Sequence, residues 1–414
     1  MTIRSTMNDL LVPEIKKLPP TGHVAGRTEA GATSMRTLVR SYDRVAAGKS
    51  LCYDLFSFSV NKSEELRTLK EELRSRDYQI SPFRQRTIYD PKKRLITVPH
   101  IRDRIAQGAF SMTTTPILDR TLVDHTYACR KGKALLSALE DIRRALIKGK
   151  YHYMVKTDIK HYFDTIDHSI ALHLWDRILK EDWAYWFLQV NFNSFGEVGM
   201  HKGNVVSQDT GNLYLSPLDH LVMDELGYGA YYRNMDDILV MTETLREAED
   251  LLQIMDDFVT DRLRLELSDK KTAIKEIDPS KGITFCKRVV YPDHFEISDA
   301  RLRQTIRKVH KHQSDLDALI RDWKSFDGEL KHFRRSYLVN EAEKEMIKAM
   351  KITADYEEAR IALRRAGITG EANVIIFINK LEYAPQDLTE RERTALRFMI
   401  DALSDWSENR TEAL

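Results

Sequence analysis

Two adjacent carboxylates, Asp236 and Asp237, interrupt the run Tyr-Tyr-Arg-Asn-Met-Asp-Asp-Ile-Leu-Val-Met over 231–241. The aromatic and branched residues on either side predict strand, tight turn, strand, with the acids at the tip. Successive side chains on an extended backbone point to opposite faces, so the two acids share a partner only if the turn reorients one. A second β-like run, 151–159, leads onto another carboxylate, Asp158. With Asp158 beside Asp236 on a neighbouring strand, three carboxylates would converge. Hard cations such as Mg²⁺ take oxygen ligands, usually one or two carboxylates each. Three carboxylates are enough for two ions about 3.5–4 Å apart, the arrangement that activates a 3′-hydroxyl and stabilises a leaving pyrophosphate.

Paired acids do not specify this chemistry by themselves, and the chain carries its own control. Met255-Asp256-Asp257 repeats the tripeptide among Leu251, Leu252, Ile254, Phe258, Val259 and Leu263, which are apolar at helical spacing. Those acids belong on the solvated face of an amphipathic helix.

A chain of 414 residues has room for roughly two to four packed units. Mean hydropathy of −0.44 describes an ordinary globular composition. No run approaches the roughly 20 apolar residues that a membrane span needs, so no membrane partner is expected. Residues 1–17 contain no continuous apolar stretch, and a secretory leader is not expected. Cys52, Cys129 and Cys286 match neither a disulfide framework nor zinc-ligand spacing, which suits a reducing, cytoplasmic setting. The net charge of +1 hides local patterning: residues 84–104 hold seven Lys and Arg against two acids. Nucleic-acid binding must therefore be argued from patches and not from the total.

Pro19, Pro20 and several glycines predict an irregular arm over 1–34. Helical periodicity follows to about residue 78, then a hairpin whose turn, Asp90-Pro91-Lys92-Lys93, is cationic. A helix is expected near 102–113, a basic cluster at 130–133, and a long helical stretch with Trp175, Trp183 and Trp186 after the Asp158 strand. From Ser298 onward only helices are expected. Those over 301–335 mix Lys, Arg and His with Trp323, Phe326 and Phe333, a pattern able to track a phosphate backbone.

Taken together and in order, these motifs resemble a bacterial reverse transcriptase, most similar to the diversity-generating-retroelement enzymes and the neighbouring unknown-group and defence-associated enzymes. Tyr-Asp-Pro-Lys-Lys-Arg-Leu-Ile-Thr-Val-Pro at 89–99, with Ile-Arg-Asp-Arg at 101–104, resembles the fingers motif; Tyr-Ala-Cys-Arg-Lys-Gly-Lys at 127–133 resembles the next. Thr-Asp-Ile-Lys-His-Tyr-Phe-Asp-Thr-Ile-Asp-His at 157–168 is similar to the first catalytic motif. Gly-Asn-Val-Val-Ser-Gln at 203–208, followed by Asn212 to Leu215 and Pro217 to Asp219, is similar to the Ser-Gln loop. Residues 233–237 stand in the place of the Tyr-x-Asp-Asp box.

The resemblance implies an α+β right-hand polymerase: arm 1–34, fingers 35–150, a palm with an antiparallel sheet at 151–295, a helical thumb at 296–353 and a helical C-terminal extension at 354–414. It implies that Asp158, Asp236 and Asp237, with the backbone carbonyl of Ile159, hold Mg²⁺ or alternatively Mn²⁺. Lys271 would protonate the departing pyrophosphate, a general-acid role. Lys93 and Arg94 would grip the triphosphate, where a guanidinium can bind bidentately. Phe163 would floor the sugar pocket and favour dNTPs. Gln208 and Arg130 would meet the incoming base or the template, while Lys131, Arg307, Lys308 and Arg334 would contact nucleic acid. Each of these also has an ordinary structural reading as core packing or a solvated surface. Asn234 departs from the usual aromatic before x-Asp-Asp, and His201-Lys202 departs from the usual Pro-Gln.

The function implied is RNA-directed DNA synthesis from a dedicated RNA in bacterial or phage-encoded antiphage defence. Mutagenic copying by a diversity-generating retroelement is the alternative within the family. A catalytically inactive palm serving as a nucleic-acid scaffold is the alternative outside it. Expected partners are a structured non-coding or template RNA, a DNA primer or product, dNTPs, and an accessory protein or a second copy of the chain.

Overall fold

The computed structural model describes residues 27–47, 53–89, 93–312, 315–334, 337–350 and 356–411. They fall into two compact units, 1–278 and 279–414. The expected palm, 151–295, straddles that division.

In the first unit, strands β1 (Arg84–Tyr89) and β2 (Lys93–Val98) form an antiparallel hairpin, as the alternating basic and branched residues predict. Four further strands, β3 (Tyr153–Asp158), β4 (Tyr231–Asn234), β5 (Asp237–Thr242) and β6 (Ala273–Glu276), make an antiparallel sheet in the order β4-β5-β3-β6. Ile238, Leu239, Val240 and Met241 are each at most 1% exposed. A strand buried on both faces reads as a continuous apolar run, and that is why β5 occupies an inner position.

The helix Val205–His220 runs through the core with almost every side chain buried. Three of its polar residues find partners inside: Asp209 accepts from Ser111 and Thr115, Thr210 accepts from Trp175, and Asn212 donates to the Ala128 carbonyl. Buried polar groups are tolerated on such terms. The helix Leu245–Asp261 starts at a reciprocal Thr244–Glu247 cap. It buries Met255 and leaves Asp256 and Asp257 exposed, so the repeated tripeptide is a solvated helix face, as its spacing predicts.

The N-terminal arm differs in part from expectation. Residues 1–26 lie outside the described residues, but Arg27–Ala32 is helical. Its first amides, Thr28 and Glu29, donate to the Glu181 carboxylate at 3.1 and 2.8 Å. A carboxylate there satisfies donors that a helix start leaves open. The signal is remote in sequence and so invisible to local pattern.

In the second unit, β7 (Ile283–Phe285), β8 (Arg288–Val290) and β9 (Phe295–Ile297) form a small antiparallel meander, and helices follow. Expected thumb and C-terminal extension share one apolar core here, in which Leu302, Trp323 and Met346 lie with Leu363, Phe377 and Ile400. The buried pair Arg393–Glu343 joins the helix Glu390–Thr411 to Tyr337–Ala349.

Candidate active site

β3 and β5 are neighbours, and their register sets Asp158 opposite Asp237. Acids from distant stretches therefore meet, although the strand partner of Asp158 is Asp237 and not Asp236. The turn between β4 and β5 places Met235 at φ 62°, in the left-handed region that a non-glycine residue enters at a cost. Asp236 occupies the turn itself. The carboxylates are not offered freely to solvent: Asp158 is 9% exposed, and Asp236 and Asp237 are half-buried.

The charges interact. Burial raises the Asp236 carboxyl to about 6, the negative charge of Asp158 adds to this, and Asp237 adds least. Lys271 opposes the rise. Its Nζ stands 2.5 Å from Asp158 Oδ2. The loop carrying Lys271 is hooked to the end of β3: Ser268 donates to the Asp158 carbonyl at 2.8 Å, and the hydroxyls of Thr157 and Thr272 meet at 2.7 Å. Ile159, 1% exposed, continues the pairing through a bridge to Leu267.

Among the described residues, no three His, Cys, Asp or Glu side chains are gathered into a ready-made metal cage. Clustered carboxylates repel, and here one of them is turned onto an ammonium. A carboxylate that holds a cation at 2.5 Å, beside a carboxyl raised by burial and then by like charge, is nevertheless a hard-oxygen donor set suited to a divalent ion.

Phe163 and Met235, the residue before Asp236, both approach Gly211 on the helix Val205–His220. A Cβ on Gly211 would sit 3.3 Å from Phe163 Cε1 and 3.0 Å from Met235 Sδ, so the missing side chain lets ring, thioether and helix meet. Tyr162 fixes the same point by donating to the Gly211 carbonyl at 2.5 Å. Gln208 is half-buried one turn earlier on that helix.

The remaining expected contact residues are divided between the two units. Arg130, expected to meet base or template, is held inside the fold. Its guanidinium binds Asp119 Oδ1 at 2.6 Å and the carbonyls of Val123 and Thr126, which uses its donors inside the fold. Lys131 is exposed. Lys93 and Arg94 open β2, but their side chains lie outside the described residues. Arg307, Lys308 and Arg334 belong to the second unit; Arg307 and Arg334 are exposed there, and the Arg334 amide donates to the Phe295 carbonyl. His201, at one departure, meets Phe83 at a tilt of 47° with ring centroids 4.0 Å apart and meets Phe195 edge-on. Burial lowers its pKa. Lys202 pairs with Asp164 at 2.7 Å.

What local pattern does not reveal is the support behind the turn. Arg233 and Asp219, both wholly buried, form a bidentate pair. Arg233 also donates to the Met235 carbonyl at 2.9 Å, and Tyr231 donates to Asp219 at 2.5 Å. An arginine inside an apolar strand was the available signal, since such a charge requires a buried partner.

A four-stranded antiparallel sheet that brings acids from two stretches to one end has the architecture of a polymerase palm. Residues 88–317, more than half of the chain, match the model of the family described as reverse transcriptase (RNA-dependent DNA polymerase), and the chain belongs to that family. Its fold is the α+β right hand of such polymerases. Protein YkfC of Escherichia coli is 23% identical over 310 residues, covering 63% of this chain and 80% of YkfC. A putative COX1/OXI3 intron 1 protein of Saccharomyces cerevisiae is 24% identical over 171 residues, covering 38% of this chain and 20% of that protein. The group II intron-encoded protein LtrA of Lactococcus lactis is 25% identical over 172 residues, or 39% of this chain and 28% of LtrA. The chain thus spans only a fifth of the yeast relative's length. Among solved structures, apo telomerase from Candida tropicalis aligns at a TM-score of 0.44 and 12% identity, over 78% of this chain and 67% of that one. A partial Cas6-RT-Cas1–Cas2 complex aligns at 0.34 and 19% identity, over 55% and 42%. Among the described residues no helix is long and apolar enough to cross a membrane.

Proposed function

We propose that this chain copies RNA into DNA, with Asp158, Asp236 and Asp237 and the Ile159 carbonyl holding Mg²⁺, for which Mn²⁺ would substitute. The observation that carries the reading is the register of Asp158 opposite Asp237, with Asp236 in the adjoining turn and Lys271 on Asp158. When bound, the ions would activate the primer hydroxyl and steady charge on the phosphates. The chain's own residues do the rest. Lys271 stands where an ammonium can deliver a proton to a leaving phosphate. Phe163, pressed against Gly211 and Met235, forms a floor where a 2′-hydroxyl would meet carbon.

The reading extends to fingers at 35–150, palm at 151–295, thumb at 296–353 and a C-terminal extension, with RNA, DNA primer and dNTPs as substrates. We assign the chain to antiphage defence built on a dedicated RNA. The departure at Asn234 and the helices beyond the thumb support that assignment. Purified protein with Mg²⁺, dNTPs and primed RNA should extend the primer, and Asp236→Asn should abolish extension without loss of fold. Absence of incorporation on every primed strand with either ion would leave the scaffold reading standing. Sequencing nucleic acid that co-purifies from cells tests the defence role: a single structured RNA with a DNA copy supports it, and mutated copies of a template repeat favour diversification.

A further inference from the structure

The segment from Gly199 to Lys202 is strapped along the stretch that carries Phe163. The Gly199 amide donates to the Ile166 carbonyl at 2.8 Å, and the Met200 amide to the Phe163 carbonyl at 2.7 Å. The Gly199 carbonyl accepts from His168 Nε2 at 2.6 Å, and Lys202 pairs with Asp164 at 2.7 Å. Gly199 stands at φ 90°, and a Cβ there would lie 2.8 Å from the Asp164 carbonyl oxygen, so glycine is what lets the two backbones lie this close. Tied in this way, the strap moves with Phe163.

The His201 ring projects from that strap onto Phe83, the last residue of an irregular stretch, 77–83, that leads into β1. Behind, the ring is held at the end of the helix Asp182–Asn193: Nε2 donates to the Ser194 carbonyl at 3.2 Å, and Phe195 meets the ring edge-on with centroids 4.8 Å apart. His201 is 8% exposed, and its Nδ1 is buried without a partner. Protonating Nδ1 would bury a donor that nothing receives, so the ring that meets Phe83 is the neutral one. The contact is therefore packing between rings and not an attraction of charge.

The hairpin depends on such contacts. Among the described residues β1 and β2 pair only with each other, and no backbone ladder joins them to the four-stranded sheet. The stretch before β1 is anchored on one side to the helix Ile101–Leu118, where Asp103 accepts from the Tyr78 hydroxyl at 2.7 Å and the Ser81 amide at 3.1 Å. On the other side the 4.0 Å ring pair ties it to the strap. Neither proline nor glutamine, the usual pair at 201–202, carries an aromatic ring for Phe83 to meet.

We propose that His201 and Phe83 form a positioning latch, which ties the foot of the β1–β2 hairpin to the strap on Phe163 and so sets where the hairpin meets the incoming nucleotide. The effect on the nucleotide rests on the polymerase reading; the hold on the hairpin foot rests on the contacts alone. His201 acts through Phe83 and touches no reacting atom.

The test has two readouts on the full chain. One is the rate of chymotryptic cleavage after Phe83, without substrates, which follows how often the foot comes free. The other is steady-state incorporation of dNTPs on primed RNA. His201→Ala should speed the cleavage and raise KM for dNTPs, each by roughly two- to tenfold, the span that an aromatic contact supplies. The kcat should hold, the signature of lost uniform binding. His201→Phe keeps a ring without the nitrogens and should restore both values. Phe83→Ala removes the half-buried partner and leaves the strap intact, so it should reproduce the KM change even if His201→Ala fails to fold. An unmoved KM in folded Phe83→Ala would overturn the latch, as would a loss confined to kcat or a failure of His201→Phe to restore cleavage and KM. Faster cleavage in a chain whose parent incorporates nothing keeps the latch and rejects the polymerase, whereas incorporation with unmoved cleavage and KM does the reverse.

Discussion

Arg233 and Asp219 meet with Nε and Nη2 each 2.6 Å from a carboxylate oxygen, on a strand and a helix that are wholly buried at this point. The same guanidinium reaches 2.9 Å to the Met235 carbonyl, so the pair is the brace behind the turn that carries Asp236. Removing one partner leaves an uncompensated buried charge. Asp219→Ala should therefore cost roughly 3–5 kcal/mol in chemical denaturation. Replacing both, Arg233→Met with Asp219→Leu, should recover most of that stability, because a buried pair is often matched by apolar residues of similar size. It should not recover primer extension, since Met235 would still lack its donor. Full activity in the stable double variant would show that the brace plays no part in positioning the carboxylates.

Asp209 gives a pH signature. Burial raises its carboxyl to about 6 from the ordinary 3.8, against the opposing hydrogen bonds from Ser111 and Thr115. A value raised on folding means that the folded state holds the proton more tightly. Its contribution to stability is thus complete below about pH 4 and lost as pH climbs through 6. At 1.36 kcal/mol per unit the swing is roughly 3 kcal/mol. Asp209→Asn removes the titration, so the stability of the variant relative to the parent should climb by about that amount between pH 4 and 7. Any constant cost of the new amide does not alter this slope. Parallel stability curves for parent and variant would rule the assignment out.

Legibility in the sequence followed interaction range. The hairpin β1–β2, the β4–β5 turn and the contrast between Asp236-Asp237 and Asp256-Asp257 depend on neighbours a few residues apart, and periodicity shows them. The Asp158–Asp237 register was expected only as a convergence, because which acid faces which depends on how Met235 turns the chain. The hold on Arg130 was not legible, since its partners, Asp119, Val123 and Thr126, bend back around it without periodicity. The Glu181 cap of the first helix lies more than 150 residues from its amides, beyond any local rule.

Gly211 and Phe163 test the floor of the site together. Phe163→Ala should open the space beneath the sugar and admit ribonucleotides, read as the ratio of kcat/KM for dNTPs to that for NTPs. Gly211→Ala acts in the opposite direction. The added methyl meets Met235 Sδ at 3.0 Å and Phe163 Cε1 at 3.3 Å, so both must yield by a few tenths of an ångström. Overpacking of this kind costs about 1–3 kcal/mol. The displaced ring should lower kcat/KM for dNTPs while discrimination against NTPs persists. Unchanged sugar selectivity in Phe163→Ala would remove the floor from this residue.

Lys271 has two separable effects on the same carboxylate. As an ammonium 2.5 Å from Asp158 Oδ2, it competes with any divalent ion for that oxygen. As a proton donor, it would speed departure of pyrophosphate by about 10²–10⁴-fold. Lys271→Ala should accordingly tighten half-saturation by Mg²⁺ while slowing single-turnover incorporation. Stability should barely move, because the lysine side chain is 60% exposed and such pairs contribute about 0–1 kcal/mol. A small primary amine in the buffer should restore part of the rate without restoring the original metal dependence. If saturating Mg²⁺ alone returned the full rate, Lys271 would be a tether for Asp158 and the proton would come from elsewhere.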